Sequence, residues 1–141
     1  MIRAFKKSDM EQVLNIWLQA SIEAHDFIGK EFWESNLIDM GEVYLPSGET
    51  YVYEEDGLIR GFVSLREDII VALFVFPSFQ GKGIGRKLMA KAKDVRDNLQ
   101  LTVYKENNKS IEFYKKCDFK IIKEQIDIHT GHKELLMSYN Y

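Results

Sequence analysis

Apolar positions along this chain repeat with two different periods, and each change of period marks an element. Ile2 to Phe5 reads as a short first strand. Ser8-Asp9-Met10-Glu11 has the form of a capping box, after which Val13, Leu14, Trp17, Leu18 and Ile22 recur at helical spacing. The pattern breaks over His25-Asp26-Phe27-Ile28-Gly29. It resumes in a second predicted helix, Lys30 to Tyr44, with Phe32, Trp33, Leu37 and Ile38 facing inward, before Pro46-Ser47-Gly48 turns the chain. Thr50 to Tyr53 predicts a strand, Asp56-Gly57 a hairpin turn and Leu58 to Leu65 the returning strand.

The run Ile69 to Phe76 is almost wholly apolar and reads as a buried strand, closed by Pro77. Ile84, Leu88, Met89, Ala92 and Val95 return to helical spacing. A strand from Leu99 to Val103 and a helix from Asn108 to Lys115 come next. Phe119 to Ile128 and Glu134 to Tyr139 form a last pair, joined through His129-Thr130-Gly131-His132. No repeat, linker or low-complexity segment interrupts the series. The chain has 141 residues, within the range of one domain with a substantial core. The expectation is one mixed α/β domain over residues 1–141.

Composition changes that picture little. Apolar residues make up 45% and charged residues 29%, with a formal charge of −3. That balance gives no reason to expect nucleic acid or an anionic membrane as partner. Cys117 is the single cysteine, so no intrachain disulfide forms. Such usage fits a reducing cytoplasm. The sequence carries neither of two known catalytic-cysteine signatures, and Cys117 reads as a small, partly buried packing residue. Met1 to Phe5 is too short, and too soon succeeded by charge, to begin a signal peptide. No apolar run approaches the length of a membrane span.

The most informative passage is Gln80-Gly81-Lys82-Gly83-Ile84-Gly85, which stands between the buried strand and a helix. A glycine turn there leaves several backbone N–H groups in one space at the positive end of a helix dipole, which suits phosphate. Lys82, Arg86 and Lys87 stand close enough to meet the phosphates, whereas Lys91 and Lys93 read as a solvated helix face. The P-loop spacing is absent because no Ser or Thr succeeds the lysine. The dinucleotide fingerprint fails because Arg86 or Leu88 falls where its last glycine belongs.

What remains, Gln-x-x-Gly-x-Gly after a strand, resembles the coenzyme A signature of the GCN5-related N-acetyltransferases. A second passage, Asn107 through Phe119, is similar to that family's later Asn, Phe-Tyr, Gly-Phe element. Asn107, Phe113, Tyr114 and Phe119 match; Asp118 replaces the usual glycine at a helix C-cap, where Asp tolerates the left-handed conformation better than most residues. The order of elements matches across essentially the whole chain. The resemblance implies a central, mostly antiparallel sheet of about seven strands flanked by about four helices. It also implies that the fourth and fifth strands splay apart to admit the cofactor.

By that resemblance the main chain of Leu73, Phe74 and Val75 pairs with the pantetheine arm. Gln80, Gly81, Lys82, Gly83, Ile84, Gly85 and Arg86 hold the pyrophosphate, and Asn107 hydrogen-bonds the arm unless it serves only as a helix cap. The implied reaction moves acetyl from the thioester of acetyl-coenzyme A to a primary amine. Charge growing on the carbonyl oxygen would be met by an N–H near Phe74 or Val75. Tyr114 then resembles the general acid that protonates the departing sulfur, the competing reading being an aromatic core residue.

The acceptor is expected to be a small-molecule amine, with peptide or protein amines (N-terminal or lysine) as the alternative and a non-catalytic acyl-coenzyme A sensor as a further one. A nucleotide-binding protein of another kind is a third rival. Candidate bases are His25, Asp26, Glu67, Asp68, His132 and Glu134, with His25 and Asp68 foremost. His25, Asp26, Phe27 and Trp33 suit a small cationic substrate through charge and ring faces. No metal is called for. The exposed last strand leaves monomer and homodimer both open.

Overall fold

A computed structural model describes residues 1–140, with residues 43 and 44 described by backbone alone. One sheet runs through it, in the order β1-β2-β3-β4-β5-β7-β6. Its strands are β1 (Ile2–Ala4), β2 (Glu49–Glu55), β3 (Leu58–Arg66), β4 (Ile69–Val75), β5 (Asn98–Tyr104), β6 (Lys120–Ile126) and β7 (Lys133–Asn140). The helices are α1 (Met10–Ala24), α2 (Lys30–Ser35), α3 (Ile84–Val95) and α4 (Asn108–Lys116), with short helical turns from Leu37 to Ser47.

Sheet neighbours run antiparallel except β4 and β5. Those two are parallel and register only at Ile69 with Gln100, where the Gln100 N–H donates to the Asp68 carbonyl at 2.9 Å. From there they diverge, while β5 stays paired with β7 from Asn98 through Tyr104. The expected splay between the fourth and fifth strands is present.

Alternation along the strands divides the core between the two faces. Leu65, Ile70, Leu99, Leu101 and Met137 pack under α3 and α4, against Ile84, Leu88, Met89, Ala92 and Ile111. Val52, Phe62 and Ala72 face the other way, against Val13, Ile16, Trp17 and Trp33 of α1 and α2. The apolar stripe predicted for α3 is therefore the buried one. The hairpin turn is also as expected, with Asp56 and Gly57 at φ of 55° and 78°, as a type I′ turn requires.

Three expectations are corrected. The capping box over Ser8 to Glu11 does not form. Asp9 instead accepts the Lys6 N–H at 2.8 Å and the Arg3 guanidinium at 2.8 and 3.0 Å. Ser8 lies inside a short 3-10 turn, Lys7–Asp9, which Asp9 closes through the Lys6 amide while it also pairs with the arginine. The second helix is broken at Asn36, whose side-chain amide donates back to the Phe32 carbonyl at 2.7 Å and competes with the helical pattern. The break rotates the next helical turn, so Ile38, expected inward, is 69% exposed. Among the described residues no helix is long and apolar enough to cross a membrane.

Candidate active site

The divergence of β4 from β5 opens a cavity of about 920 Å³. One end is the glycine turn. Gly81 and Gly83 have φ of 80° and 86°, and a Cβ on either would meet nothing within 4 Å. Conformation, not crowding, calls for glycine there. At Gly85 a Cβ would sit 3.4 Å from the Phe113 ring, at ordinary van der Waals contact, so this position lies where α3 meets α4. Because α3 begins at Ile84, its first amides have no carbonyl one turn back; the Lys87 N–H to the Gly83 carbonyl is the first such bond, at 3.2 Å. Ile84, Gly85 and Arg86 all line the cavity. Free amides, a dipole end and a guanidinium together fit a phosphate group. The Lys82 side chain stays outside, its Nζ 5.7 Å from the centroid of Phe79.

Leu73, Phe74 and Val75 line the wall from β4. The Phe76 N–H donates to the Arg60 carbonyl of β3 at 2.9 Å. Strand alternation then turns the main chain of Phe74 toward β3 and that of Leu73 and Val75 into the gap. Phe74 thus reaches the cavity through its ring alone. The Gln80 side chain is spent on the protein itself: its Nε2 donates to the Val75 carbonyl at 3.0 Å, and its Oε1 accepts from Lys109 Nζ at 3.2 Å.

Across the gap, Asn107 caps α4 by accepting the Ser110 N–H at 3.3 Å. Its Nδ2 remains for other work and lies 3.3 Å from His25 Nε2. Tyr114 lines the same cavity, while its ring packs on Phe113 and Phe119 at centroid distances of 5.5 and 5.9 Å. Core anchoring and a phenol at the cavity are two ends of one side chain. Burial pushes that phenol above its ordinary pKa, so the proton is retained at neutral pH. Asp118 takes the left-handed conformation, φ 71°, and the Phe119 N–H closes the helix end onto the Tyr114 carbonyl at 3.0 Å.

The far end is aromatic and acidic. His25 and Trp33 stack at 5.1 Å and 30°. With Asn107 Oδ1 occupied by Ser110, the amide turns its donor to His25 Nε2, so the neutral ring carries its proton on Nδ1. That Nδ1 is buried without a hydrogen-bond partner among the described residues. Burial is the dominant influence and lowers the His25 pKa from 6.5 to about 4. A ring so reluctant to charge is a poor base near neutrality. Asp26 lines the cavity, and Phe27 packs its ring on His25, Tyr104 and His132 at 5.9, 5.7 and 5.2 Å.

The structure does not bring Asp68 or Glu67 to this place. Both flank a separate cavity of about 370 Å³ at the other end of β4, where Asp68 lies 3.8 Å from Arg96. Pairing at Ile69 closes that end of the gap. Residues missed from sequence are Tyr104, whose hydroxyl donates to Asp127, and Asp127 itself. Burial and that carboxylate push the Tyr104 phenol upward. Glu134 also lines the cavity, its Oε2 held by Gln125 Nε2 at 2.5 Å. Only the register of Tyr104 with Glu134 and Glu134 with Gln125 brings these three strands' side chains together.

A profile of the Acetyltransferase (GNAT) domain matches residues 46–121, the stretch that carries both strands of the gap, the glycine turn and α4. The chain belongs to the GNAT acetyltransferase family. It is 34% identical over 123 residues to the peptidyl-lysine N-acetyltransferase YiaC of Escherichia coli (strain K12), covering 86% of this chain and 84% of that protein. YjaB of the same organism, also named a peptidyl-lysine N-acetyltransferase, is 31% identical over 122 residues, 85% of this chain and 82% of YjaB. The solution structure of apo YjaB matches with a TM-score of 0.85 at 27% identity, covering 99% and 96% of the two chains. The PaiA N-acetyltransferase of Thermoplasma acidophilum, solved with coenzyme A, shares the fold at a TM-score of 0.83 and 17% identity, over 100% and 98%.

Proposed function

We propose that this GNAT enzyme acetylates lysine side chains of polypeptides, using acetyl-coenzyme A. The observation that carries the reading is the opposed polarity of one cavity. Arg86 and Lys109 stand at the glycine-turn end, and Glu23, Asp26, Glu106, Asp127 and Glu134 wall the remainder. An anionic cofactor suits the first end and a cationic acceptor the second.

When bound, the cofactor supplies an acetyl group activated as a thioester. The chain supplies everything else. Amides after Gly83 hold phosphate, and the main chain of Leu73 and Val75 pairs with the peptide-like arm, as does Asn107 Nδ2. Tyr114 keeps its phenolic proton and passes it to the departing sulfur. Glu134, oriented by Gln125, receives the ammonium and takes its proton. His25, neutral, walls the acceptor end with Trp33 and positions Asn107.

The acidic wall alone would serve a small polyamine equally well. Two features favour a polypeptide. Thr102 is exposed and lines the cavity although β5 is a central strand, because α1 and α2 pack on the β3 and β4 side and leave that stretch of β5 open. The names of YiaC and YjaB, at 34% and 31% identity, support the same acceptor. A sensor that only bound acyl-coenzyme A would have no use for a protonated phenol in the cavity.

The test is thiol release from acetyl-coenzyme A over a panel: a lysine peptide with blocked N-terminus, a lysine-free peptide with free N-terminus, spermidine and an aminoglycoside. The lysine peptide should give the highest kcat/KM. A small amine that outpaces it would return the acceptor to that class, and turnover with no amine would favour the sensor.

A further inference from the structure

We propose that Lys109 is a latch on the cofactor's pyrophosphate, gripping it from α4 while the glycine turn holds it from α3. Lys109 lies in the first turn of α4, a turn fixed by the Asn107 cap. Its Nζ reaches Gln80 Oε1 at 3.2 Å, and Gln80 Nε2 is anchored on the Val75 carbonyl at 3.0 Å. That chain of contacts joins the end of β4 to α4 across the gap. The ammonium therefore sits beside the turn, at the mouth a pyrophosphate must occupy.

Position together with charge picks out the same residue, since Arg86 and Lys109 are the cations among the described residues that line the cavity. Lys93, Lys105, Lys115 and Lys133 each have a carboxylate within ion-pair distance. Among the described residues neither Lys109 nor Arg86 has one, and both line the cavity, on opposite lips. The present partner of Lys109 is a neutral amide at an exposed position. Exchanging it for a phosphate oxygen replaces a neutral contact with a charge-assisted one. Lysine suits such an exchange because its ammonium is a compact charge on a flexible stem. Gln80, for its part, becomes a strut that parks the lysine and braces the end of β4.

The inference rests on the cleft taking coenzyme A and is independent of which amine is acetylated. It is tested by calorimetric titration of the whole chain with coenzyme A and with dephospho-coenzyme A, which lacks the 3′-phosphate but keeps the pyrophosphate. Lys109→Ala should weaken both by about tenfold and flatten the salt dependence of binding; Lys109→Arg should stay within about twofold of wild type. Unchanged affinity in Lys109→Ala would overturn the latch. So would a loss confined to coenzyme A, which would move the contact to the 3′-phosphate. A wild-type protein that binds neither compound would overturn the cofactor reading and the latch with it.

Discussion

Replacing His25 with phenylalanine should take a defined acid sensitivity out of the fold. His25 is 8% exposed, and burial lowers its pKa from 6.5 to about 4. As pH falls through that window, the unfolded chain takes up a proton that the folded chain refuses, so stability declines. At about 1.4 kcal/mol per pH unit, the full loss below both values is about 3 kcal/mol, of which about 2 kcal/mol is already felt at pH 5. Phenylalanine fills similar space and never charges. It forfeits the acceptor for Asn107 Nδ2, a change of about 1 kcal/mol that is the same at both pH values. The assay is urea unfolding of both proteins at pH 7.5 and pH 5. Asp9, Glu49, Glu54 and Glu124, all held below their usual range by basic or hydroxyl partners, destabilise both proteins alike on acidification and cancel in the difference. Wild type should lose about 2 kcal/mol more than His25→Phe. An equal loss in the two would refute the argument that this imidazole is held neutral by burial.

The same geometry sets other outcomes. Tyr114→Phe should lower kcat by roughly 10² or more while leaving coenzyme A affinity within about twofold; undiminished turnover would remove the acid assignment. Glu134→Gln keeps the shape and loses the charge, so KM for a lysine peptide should rise and kcat fall by about tenfold or more, with cofactor affinity unmoved. Unaltered kinetics would send the proton elsewhere. Asp118→Gly relieves a left-handed residue at φ 71° and should stabilise by about 0.5–1 kcal/mol, raising Tm by a few degrees; a lowered Tm would show that the Asp118 side chain matters more than its backbone.

The cofactor half of the site was legible in the chain because local patterns specify it. A run of apolar residues from Ile69, a glycine turn and a periodic helix define strand, turn and dipole without reference to anything distant. Asp118 could likewise be placed in the left-handed region from its position after a helix. The acceptor half was legible only in part. His25, Asp26 and Trp33 stood out as polar and aromatic residues at a break in pattern, but nothing local tied Tyr104 to Asp127 or aimed Glu134 at the cavity. Those meetings depend on the β5-β7-β6 register, a long-range property. Asp68 misled because adjacency to the cofactor strand in sequence does not say which end of that strand opens. Ile38 misled because a side-chain amide at Asn36 broke a helix that periodicity alone would continue. Lys109 escaped notice because in sequence it is one more lysine on an amphipathic helix.

The central claim is that the opened edge of β4 receives coenzyme A so that its sulfur meets Tyr114. A crystal structure of the protein with coenzyme A tests it most directly. The account predicts pyrophosphate against the amides of residues 83–86 and the Tyr114 hydroxyl within hydrogen-bond reach of the sulfur. A thiol directed away from Tyr114, or phosphates seated anywhere but the glycine turn, would contradict it.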